Sequence, residues 1–213
     1  MLVGERMSHP VIPVHPDTPL PEALDLMRRE KIRRAPVIHD GQMVGIVTER
    51  DLLHASPSSA TTLSIWELNY LLTKVTVGQL MTKKVLTVQE DTPIEEAARI
   101  MADNKIGGLP VLRGDHVVGM ITETNLSRIF LELMGARDRG VRVTALLPEQ
   151  RGRLTRFIQA VANGGGHIIA FGTFAGEDPS NILVTCKVAG LELEQVQELI
   201  GPAVERLVDI RVC

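Results

Sequence analysis

Two similar heptapeptides stand 74 residues apart in the chain: Gly45-Ile-Val-Thr-Glu-Arg-Asp51 and Gly119-Met-Ile-Thr-Glu-Thr-Asn125. Outward from them, residues 3–54 align with residues 77–128 without a gap, and 20 of the 52 aligned pairs are identical. A solenoid needs at least three units in a row, so two copies of about 50 residues indicate a pair that packs around a pseudo-twofold axis. Any cleft between the copies should then occur twice.

Each copy predicts the order strand, helix, hairpin, helix. A Thr-Pro dipeptide marks the start of the first helix in both copies, because threonine suits the N-cap and proline suits the first helical position. In the second copy Thr92 and Glu95 also have the spacing of a capping box. These helices are expected to end near residues 31 and 105. Short strands are predicted at residues 11–14 and 85–88, and hairpin turns at Asp40-Gly41 and Gly114-Asp115.

The segment between the copies predicts a loop at residues 55–62 and a helix at residues 63–75. Leu63, Trp66, Tyr70 and Leu71 recur at helical spacing on this helix. The stripe suits packing in a core. It also suits a contact between subunits, because aromatic residues are enriched at the centres of interfaces. The sequence leaves both interpretations open.

The last third of the chain predicts a separate domain. Strands are expected at residues 141–147, 167–174, 181–188 and 204–212, with helices at residues 154–162 and 193–200. The resulting order, βαββαβ, is that of a ferredoxin-like split βαβ unit. The whole chain is therefore assigned to the α+β class.

Composition excludes several classes of protein. Hydrophobic residues make up 44% of the 213 residues and charged residues 23%, which is typical of a packed chain. The net charge of -3 provides no general cationic field for nucleic acid or an anionic membrane. Cys186 and Cys213 are too few for a disulfide scaffold, and the start of the chain lacks the apolar core of a signal peptide. No apolar run approaches the roughly 20 residues of a membrane span. We expect a soluble protein of the reducing cytoplasm.

The sequence offers no motif for catalysis. It contains no phosphate-binding loop of the Walker type, no GxGxxG, HExxH or GxSxG pattern, and no cluster of cysteine and histidine with metal-ligand spacing. The six histidines are scattered along the chain. We therefore expect no enzyme activity, no catalytic cofactor and no metal site.

Together, the repeat order, the connecting helix and the two heptapeptides resemble a tandem pair of CBS domains, the unit also called a Bateman module. The resemblance covers residues 1–135 and implies two βαββα repeats with an adenosine nucleotide as the regulatory ligand. We place the first CBS repeat at residues 1–56, a linker helix at 57–76 and the second repeat at 77–135.

The first heptapeptide predicts a nucleotide site. Thr48 ends a strand and begins a helix, so its hydroxyl and the first free backbone amides should face an anion such as a phosphate. Asp51 follows one turn later, where its carboxylate could accept both hydroxyls of a ribose. By the resemblance, Arg33 and Arg34 reach toward the phosphates, a role that guanidinium groups suit. The resemblance also places the adenine against the other copy, near Met81, Leu86, Ile106 and Gly107.

The equivalent second site lacks these charges, because Gly107 and Gly108 replace the two arginines and Asn125 replaces the acid. A hydrogen bond to a charged group contributes ~1.5–3 kcal/mol, against ~0.5–1.5 kcal/mol for a neutral one. Phosphate-bearing ligands should therefore bind there at least an order of magnitude more weakly, which leaves one dominant site per chain. An uncharged adenosine derivative is still compatible with it, held by Met7, Ile12, Ile32, Thr122 and Asn125.

The same residues also suit purely structural roles. Both threonines could be plain N-caps, Asp51 could complement a helix N-terminus, and the two arginines could form a solvated face. On this interpretation the chain is a structural dimerisation or scaffold protein with vestigial ligand sites.

As the tail of such a chain, residues 141–213 resemble an ACT domain, a module that senses small ligands and often amino acids. Ligands in that family sit where the first strand turns into the first helix, which here is Pro148-Glu-Gln-Arg-Gly-Arg-Leu154. Gly152 matches the turn glycine of the family, whereas Glu149 and Gln150 depart from its usual pattern. The candidate effector residues are Glu149, Arg151, Gly152, Arg153 and Leu154.

A CBS pair followed by an ACT domain resembles the acetoin-utilisation AcuB-type proteins. That resemblance implies a non-enzymatic, cytoplasmic, homodimeric regulator in acetoin or acetate metabolism. It would sense AMP, ADP, ATP or S-adenosylmethionine in the CBS cleft and relay binding through the ACT domain to a protein partner that the sequence does not identify.

Overall fold

The protein is described by a computed structural model that covers residues 1–55 and 65–213. The chain divides into two compact units, Met1–Leu126 and Ser127–Cys213. The first unit contains both copies of the repeat. Its helices and strands are α1 (Val3–Arg6), α2 (Leu20–Arg29), β1 (Arg34–His39), β2 (Gln42–Thr48), α3 (Glu49–Ala55), α4 (Ile65–Leu72), α5 (Val77–Leu80), β3 (Val88–Gln89), α6 (Ile94–Asn104), β4 (Gly108–Arg113), β5 (His116–Thr122) and α7 (Glu123–Leu133), which continues into the second unit.

Each copy contains the predicted hairpin. β1 pairs antiparallel with β2, and β4 pairs antiparallel with β5. In the first turn Asp40 and Gly41 both have positive φ, 49° and 78°, which a tight two-residue turn requires. Helices α3 and α7 follow directly, so strand becomes helix at Thr48 in one copy and at Thr122 in the other.

The short helix α1 packs into the second copy and not into its own. The Val3 N–H donates to the carbonyl of Thr92 (2.9 Å), and the Gly4 N–H donates to that of Glu90 (2.8 Å). Val3 is fully buried in a core formed otherwise by the second copy. The buried members of this core are Val3, Val88, Ala97, Met101, Leu109, Val111 and Ile121.

The short helix α5 makes the reciprocal contact with the first copy. The Val77 N–H donates to the carbonyl of Thr18 (2.9 Å), and Val77 is fully buried in the core of that copy. The buried members of this core are Val14, Leu20, Ala23, Leu24, Met27, Ala35, Val37, Val47, Leu52 and Val77. The two copies therefore exchange their N-terminal segments, and the packed units differ from the units that sequence alignment defines.

The first helix of each copy begins one residue later than predicted. Pro19 and Pro93 occupy the N-caps of α2 and α6, and no side chain bonds to the helix at either cap. The extended backbone of proline suits an N-cap, which does not need to donate its N–H. The predicted capping box of Thr92 with Glu95 is wrong, because Thr92 Oγ1 accepts a hydrogen bond from the Gln89 N–H instead (3.1 Å).

The predicted strands at 11–14 and 85–88 are shorter than expected. Of residues 11–14 in the first copy, only Val14 bridges a strand, in parallel with Val37. Pro10 and Pro13 lack the N–H that a longer ladder would require. In the second copy β3 begins at Val88 and pairs in parallel with β4.

The predicted linker helix at 57–76 lies partly outside the described residues, and Leu63 lies wholly outside them. Within them, α4 runs from Ile65 to Leu72. Leu72 and Val75 pack against the first core, whereas the side chains of Tyr70 and Leu71 are exposed by 63% and 48%. For these two positions of the stripe, packing in the core is therefore the wrong interpretation.

The second unit has the predicted element order βαββαβ. Its elements are β6 (Val141–Pro148), α8 (Arg153–Asn163), β7 (His167–Ala175), β8 (Asn181–Ala189), α9 (Leu193–Ile200), a 3-10 turn (Gly201–Ala203) and β9 (Arg206–Val212). Every bound lies within two residues of its prediction. The strands form one antiparallel four-stranded sheet of order β7-β8-β6-β9.

One face of this sheet carries the apolar core, and the opposite face buries the polar side chains of Thr144, Thr185 and Lys187. Val143, Phe157 and Val196 are fully buried between the sheet and the two helices. On the opposite face the Lys187 ammonium donates to the carbonyls of Gly135 (3.0 Å) and Asp138 (2.8 Å). These charge-assisted bonds fix the loop that follows α7. Among the described residues, no helix combines the length and the apolar character that a membrane crossing requires.

The exchanged segments lead to a paired stability prediction. Val3→Ala and Val77→Ala should each lower the free energy of unfolding by about 2 kcal/mol, because each removes two methyl groups from a filled core. Amide hydrogen exchange locates the damage. Val3→Ala should accelerate exchange in β4 and β5, and Val77→Ala in β1 and β2. Acceleration in the variant residue's own copy would contradict the exchange of segments.

The two cysteines should differ in reactivity. Burial raises the pKa of the Cys186 thiol to about 12, whereas Cys213 is exposed. Because the thiolate is the reactive form, one thiol per chain should react with a disulfide reagent at neutral pH and the other only on unfolding. Cys213→Ser should remove the fast reaction, and Cys186→Ala should retain it.

The same pKa shift predicts a pH dependence of stability. The thiol of Cys186 titrates at about 12 in the folded chain, above its usual 9.0. Its contribution to stability is therefore fully present below pH 9 and is lost as the pH rises toward 12. Cys186→Ala should remove this alkaline component from the unfolding profile, and an unchanged profile would contradict it.

Candidate functional site

The first heptapeptide forms a closed turn at the junction of β2 and α3. The Thr48 N–H donates to Asp51 Oδ2 (2.9 Å), and the Thr48 hydroxyl donates to the same oxygen (2.7 Å). The Asp51 N–H in turn donates to Thr48 Oγ1 (3.2 Å). This reciprocal pattern is a capping box with aspartate as the acid. The structural role that the sequence left open for both residues is therefore present.

The capping box leaves one oxygen of Asp51 for a ligand. All three bonds involve Oδ2 or the backbone, so within the described chain Oδ1 accepts no hydrogen bond. Asp51 is half-buried, and a carboxylate oxygen can accept more than one donor. The Thr48 hydroxyl already donates to Asp51, which corrects the expectation that it faces an anion. The Glu49 N–H, also expected to be free, donates to the carbonyl of Arg33 (2.9 Å).

Arg33 and Arg34 lie beside this junction. Arg34 is directly opposite Thr48 in the β1–β2 ladder. The side chain of Arg33 is exposed, whereas that of Arg34 is half-buried. Burial lowers the pKa of Arg34, the carboxylate of Glu123 opposes this shift, and the charge of Arg33 adds to it. Two cations, Arg33 and Arg34, and one oxygen of Asp51 therefore lie at the end of one hairpin. We call the candidate site that contains them the first cleft.

The proposed adenine residues lie in different surroundings. Met81 packs on β2, where a Cβ added to Gly45 would lie 2.6 Å from its sulfur, and Thr82 bridges Ile46. Ile106 packs against the core that contains Val3. Leu86 is 47% exposed and Gly107 lies beneath Arg34. The structure thus joins Thr48 with Asp51, and Arg34 with Gly107, but shows no contact that brings Leu86 to either pair within the described chain.

The second heptapeptide has the same turn but a different outer contact. Asn125 Oδ1 accepts from the Thr122 N–H (3.0 Å) and from the Thr122 hydroxyl (2.6 Å). The Asn125 amide then donates to the carbonyl of Arg6 (3.1 Å) and to Ser8 Oγ (3.2 Å). Asn125 is 6% exposed, and both of its amide hydrogens are used. The side chain that replaces the acid therefore ties the exchanged N-terminal segment to the second copy.

The remaining residues of the second set are dispersed. Met7 packs over Gly119 and against the core that contains Val3, whereas Ile32 packs against the core that contains Val77. Ile12 is half-buried. A pocket of about 800 Å³ lies beside the N-terminal segment and includes Met7. Its lining residues are Leu2, Gly4, Glu5, Met7, His9, Pro10, Val11, Glu90, Asp91, Arg113, Val117 and Val118.

The candidate effector turn of the second unit is exposed and partly satisfied by its own chain. Gly152 is the N-cap of α8 with φ of 80°, a conformation that favours glycine. The Glu149 N–H donates to the carbonyl of Ser180 (2.7 Å), and the Arg153 N–H to that of Gln150 (3.2 Å). The Arg153 amide is therefore not a free donor for a ligand at this turn. Arg151 is exposed and Leu154 packs on the core.

Sequence reasoning missed Glu123, Arg6 and Ser8. The available signal was the pair of glycines at 107 and 108, which leave space for Arg34 of the first copy to reach the surface where Glu123 lies. No pattern indicated the contact of Asn125 with residues more than one hundred positions earlier. Across residues 1–55 and 65–213, no group of three or more His, Cys, Asp and Glu side chains is arranged to hold a metal ion.

The two junction residues differ by one functional group, which makes a reciprocal test possible. Leu80 and Thr82 are the repeat equivalents of Arg6 and Ser8. Asp51→Asn should therefore gain the outer hydrogen bonds and raise the free energy of unfolding of the ligand-free chain by about 1 kcal/mol. Asn125→Asp should lower it by about 1–3 kcal/mol, because it removes both donors and places a carboxylate beside the Arg6 carbonyl. Denaturant unfolding measures both, and equal effects of the two variants would contradict the asymmetry.

The chain matches known proteins over its first two thirds. The CBS domain model matches residues 3–58 and 77–132, together more than half of the chain. A CBS domain-containing protein of Dictyostelium discoideum is 31% identical over 136 residues, 63% of this chain and 94% of that protein. The L-aspartate semialdehyde sulfurtransferase of Methanocaldococcus jannaschii is 30% identical over 131 residues, which span 61% of this chain but only 23% of that enzyme.

Solved structures give the same result. The CBS domain pair of protein MJ0100, in complex with 5′-methylthioadenosine and S-adenosyl-L-methionine, has a TM-score of 0.52 and 29% identity, covering 65% of this chain and 98% of that one. A Vibrio cholerae protein assigned to acetoin utilization (AcuB) has a TM-score of 0.53 and 28% identity, covering 64% of this chain and 95% of that one. With two matched domains that coincide with the two copies of the repeat, the chain belongs to the CBS domain family.

Proposed function

We propose that this chain is a non-enzymatic regulatory protein that senses one adenosine derivative per chain in the first cleft. The ligand's ribose would bind Asp51, its 5′ substituent would lie toward Arg33 and Arg34, and its adenine would lie near Met81 and Ile106. AMP, ADP, ATP and S-adenosylmethionine are the candidate ligands, and no catalytic cofactor takes part.

The observation that carries the proposal is the unequal use of the two junction residues. Asp51 keeps one carboxylate oxygen without a partner in the described chain, whereas Asn125 spends its whole amide on Arg6 and Ser8. A ribose diol needs an acceptor that is not already occupied. Of the two equivalent residues, Asp51 and Asn125, Asp51 is the one that offers a carboxylate for that purpose.

The comparisons support an adenosine ligand. The CBS pair of protein MJ0100 was crystallised with two adenosine derivatives, and that chain is covered almost completely by the match. Both of those ligands contain a ribose and an adenine. A carboxylate beside two arginines is compatible with the same nucleoside, and with a phosphate in place of the thioether or sulfonium.

We also propose that the second unit is a ferredoxin-like ACT domain. Its βαββαβ order and its antiparallel strand order support this assignment. Gly152 and the turn that contains Glu149, Arg151, Arg153 and Leu154 would then be the effector position. Ligand binding in the CBS cleft would reach this domain through α7, which spans the boundary between the units.

The cellular setting follows from the same resemblance. The match to the Vibrio cholerae protein supports a role in acetoin or acetate metabolism. We propose a cytoplasmic homodimer that acts on a separate protein target. Sedimentation at micromolar concentration tests the oligomeric state, and a monomeric mass would contradict the dimer.

Calorimetric titration tests the ligand and its position. Wild-type protein should bind at least one of AMP, ADP, ATP and S-adenosylmethionine at about one equivalent per chain. Asp51→Ala should weaken binding by roughly tenfold or more, because it removes the charged acceptor of the ribose. A ligand at 100 times its dissociation constant should raise the free energy of unfolding by ~2.7 kcal/mol in wild type and by much less in the variant.

Asp115→Ala is the matched control, since it removes an exposed carboxylate at a hairpin turn outside the cleft. It should bind as wild type does. No heat and no stabilisation with any of the four ligands would contradict the sensing function and favour the scaffold interpretation. Binding that survives Asp51→Ala would contradict the location of the site.

A further inference from the structure

Arg34 reaches from the first copy onto the second. A Cβ added to Gly107 would lie 2.5 Å from Arg34 Nη2, and one added to Gly108 would clash with Nη1. The guanidinium therefore lies directly over two glycines, where an added Cβ would displace it from this position. Gly107 and Gly108 are the repeat equivalents of Arg33 and Arg34 themselves. Arg34 thus occupies space that the side chains of residues 107 and 108 would fill if the second copy also had arginines there.

Glu123 meets Arg34 at the same place. The Cβ added to Gly107 would also lie 2.9 Å from Glu123 Oε2, so the carboxylate and the guanidinium share the surface of one glycine. The two opposite charges attract, and partial burial of Arg34 strengthens the attraction over that of an exposed pair. The charge of Arg33 repels Arg34.

The equivalent residue of the first copy has no such role. Glu49 holds the first position of α3, as Glu123 holds the first position of α7. The carboxylate whose charge raises the pKa of Arg34 is nevertheless that of Glu123. The carboxylate that faces this arginine therefore comes from the opposite copy.

We propose that Glu123 determines the charge selectivity of the first cleft, by holding Arg34 on the second copy as its counterion. This inference rests on the proposed adenosine site. A ligand phosphate must compete with the Glu123 carboxylate for Arg34, whereas an uncharged 5′ group has no need of the arginine. Glu123 thus reduces the preference for phosphorylated nucleosides and favours adenosine derivatives whose 5′ substituent carries little negative charge.

The test compares two probes that differ mainly in that substituent, AMP and 5′-methylthioadenosine. In calorimetric titrations Glu123→Gln should tighten AMP binding roughly fivefold and leave 5′-methylthioadenosine within about twofold of wild type. Glu49→Gln is the matched control, because it removes the same charge from the same position of a helix. It should change the ratio of the two affinities by less than about twofold.

A further pair of variants isolates the contact. Arg34→Gln should weaken AMP binding. When Glu123→Gln is added to Arg34→Gln, it should no longer tighten AMP binding. Equal effects of Glu123→Gln on both probes, or a Glu49→Gln effect as large as that of Glu123→Gln, would overturn the inference while leaving the adenosine site intact. If wild-type protein bound neither AMP nor 5′-methylthioadenosine, this inference would fail, whereas the proposed function would fail only if ADP, ATP and S-adenosylmethionine did not bind either. The free energies of unfolding of wild type, Arg34→Gln, Glu123→Gln and the double variant, all without ligand, give the coupling energy between Arg34 and Glu123. A coupling energy of zero would also overturn the inference.

Discussion

The reciprocal burial of Val3 and Val77 is the contact on which the first unit depends. Each valine lies at the start of one copy and is fully enclosed by the core of the other. The chain that follows is thereby held against the opposite hairpin. Ser8 bridges Met120, and Thr82 bridges Ile46. The junctions at Thr48 and Thr122 are therefore each flanked by a segment from the other copy, and neither half could form its junction surroundings alone.

The two junctions share one backbone turn but differ in the side chain that closes it. At one junction a carboxylate closes the turn with one oxygen, and at the other an amide closes the same turn and also donates to Arg6 and Ser8. An aspartate carboxylate cannot donate to a carbonyl, so this one functional group decides whether the junction adds side-chain hydrogen bonds to the segment from the N-terminus. The arginine pair differs between the copies as well. Gly107 and Gly108 stand where the first copy has Arg33 and Arg34, and they accommodate the side chain of Arg34.

Much of the fold could be predicted from local signals. The hairpins follow from turn residues flanked by alternating apolar residues, and the second unit follows from helical and strand periodicity to within two residues at each bound. The N-caps were misplaced because Thr-Pro suits two caps one residue apart, and the extended backbone of proline decided between them. The exchange of α1 and α5 could not be predicted from the repeat. Each segment aligns with the other, and the alignment is the same whether a segment packs in its own copy or in the other. At the site, Thr48 and Asp51 could be paired by spacing, whereas the contacts of Asn125 and Glu123 join distant positions that no local pattern links.

The asymmetry also limits how a ligand could act. A ligand shifts an equilibrium only by the difference in its affinity for the two states. On the proposed function, that difference arises at the first cleft. Arg34 is the side chain of this cleft that already touches the opposite copy, and Glu123, its partner there, begins α7. A change in the position of Arg34 would therefore alter the charge balance at the first residue of the helix that leads out of the CBS pair.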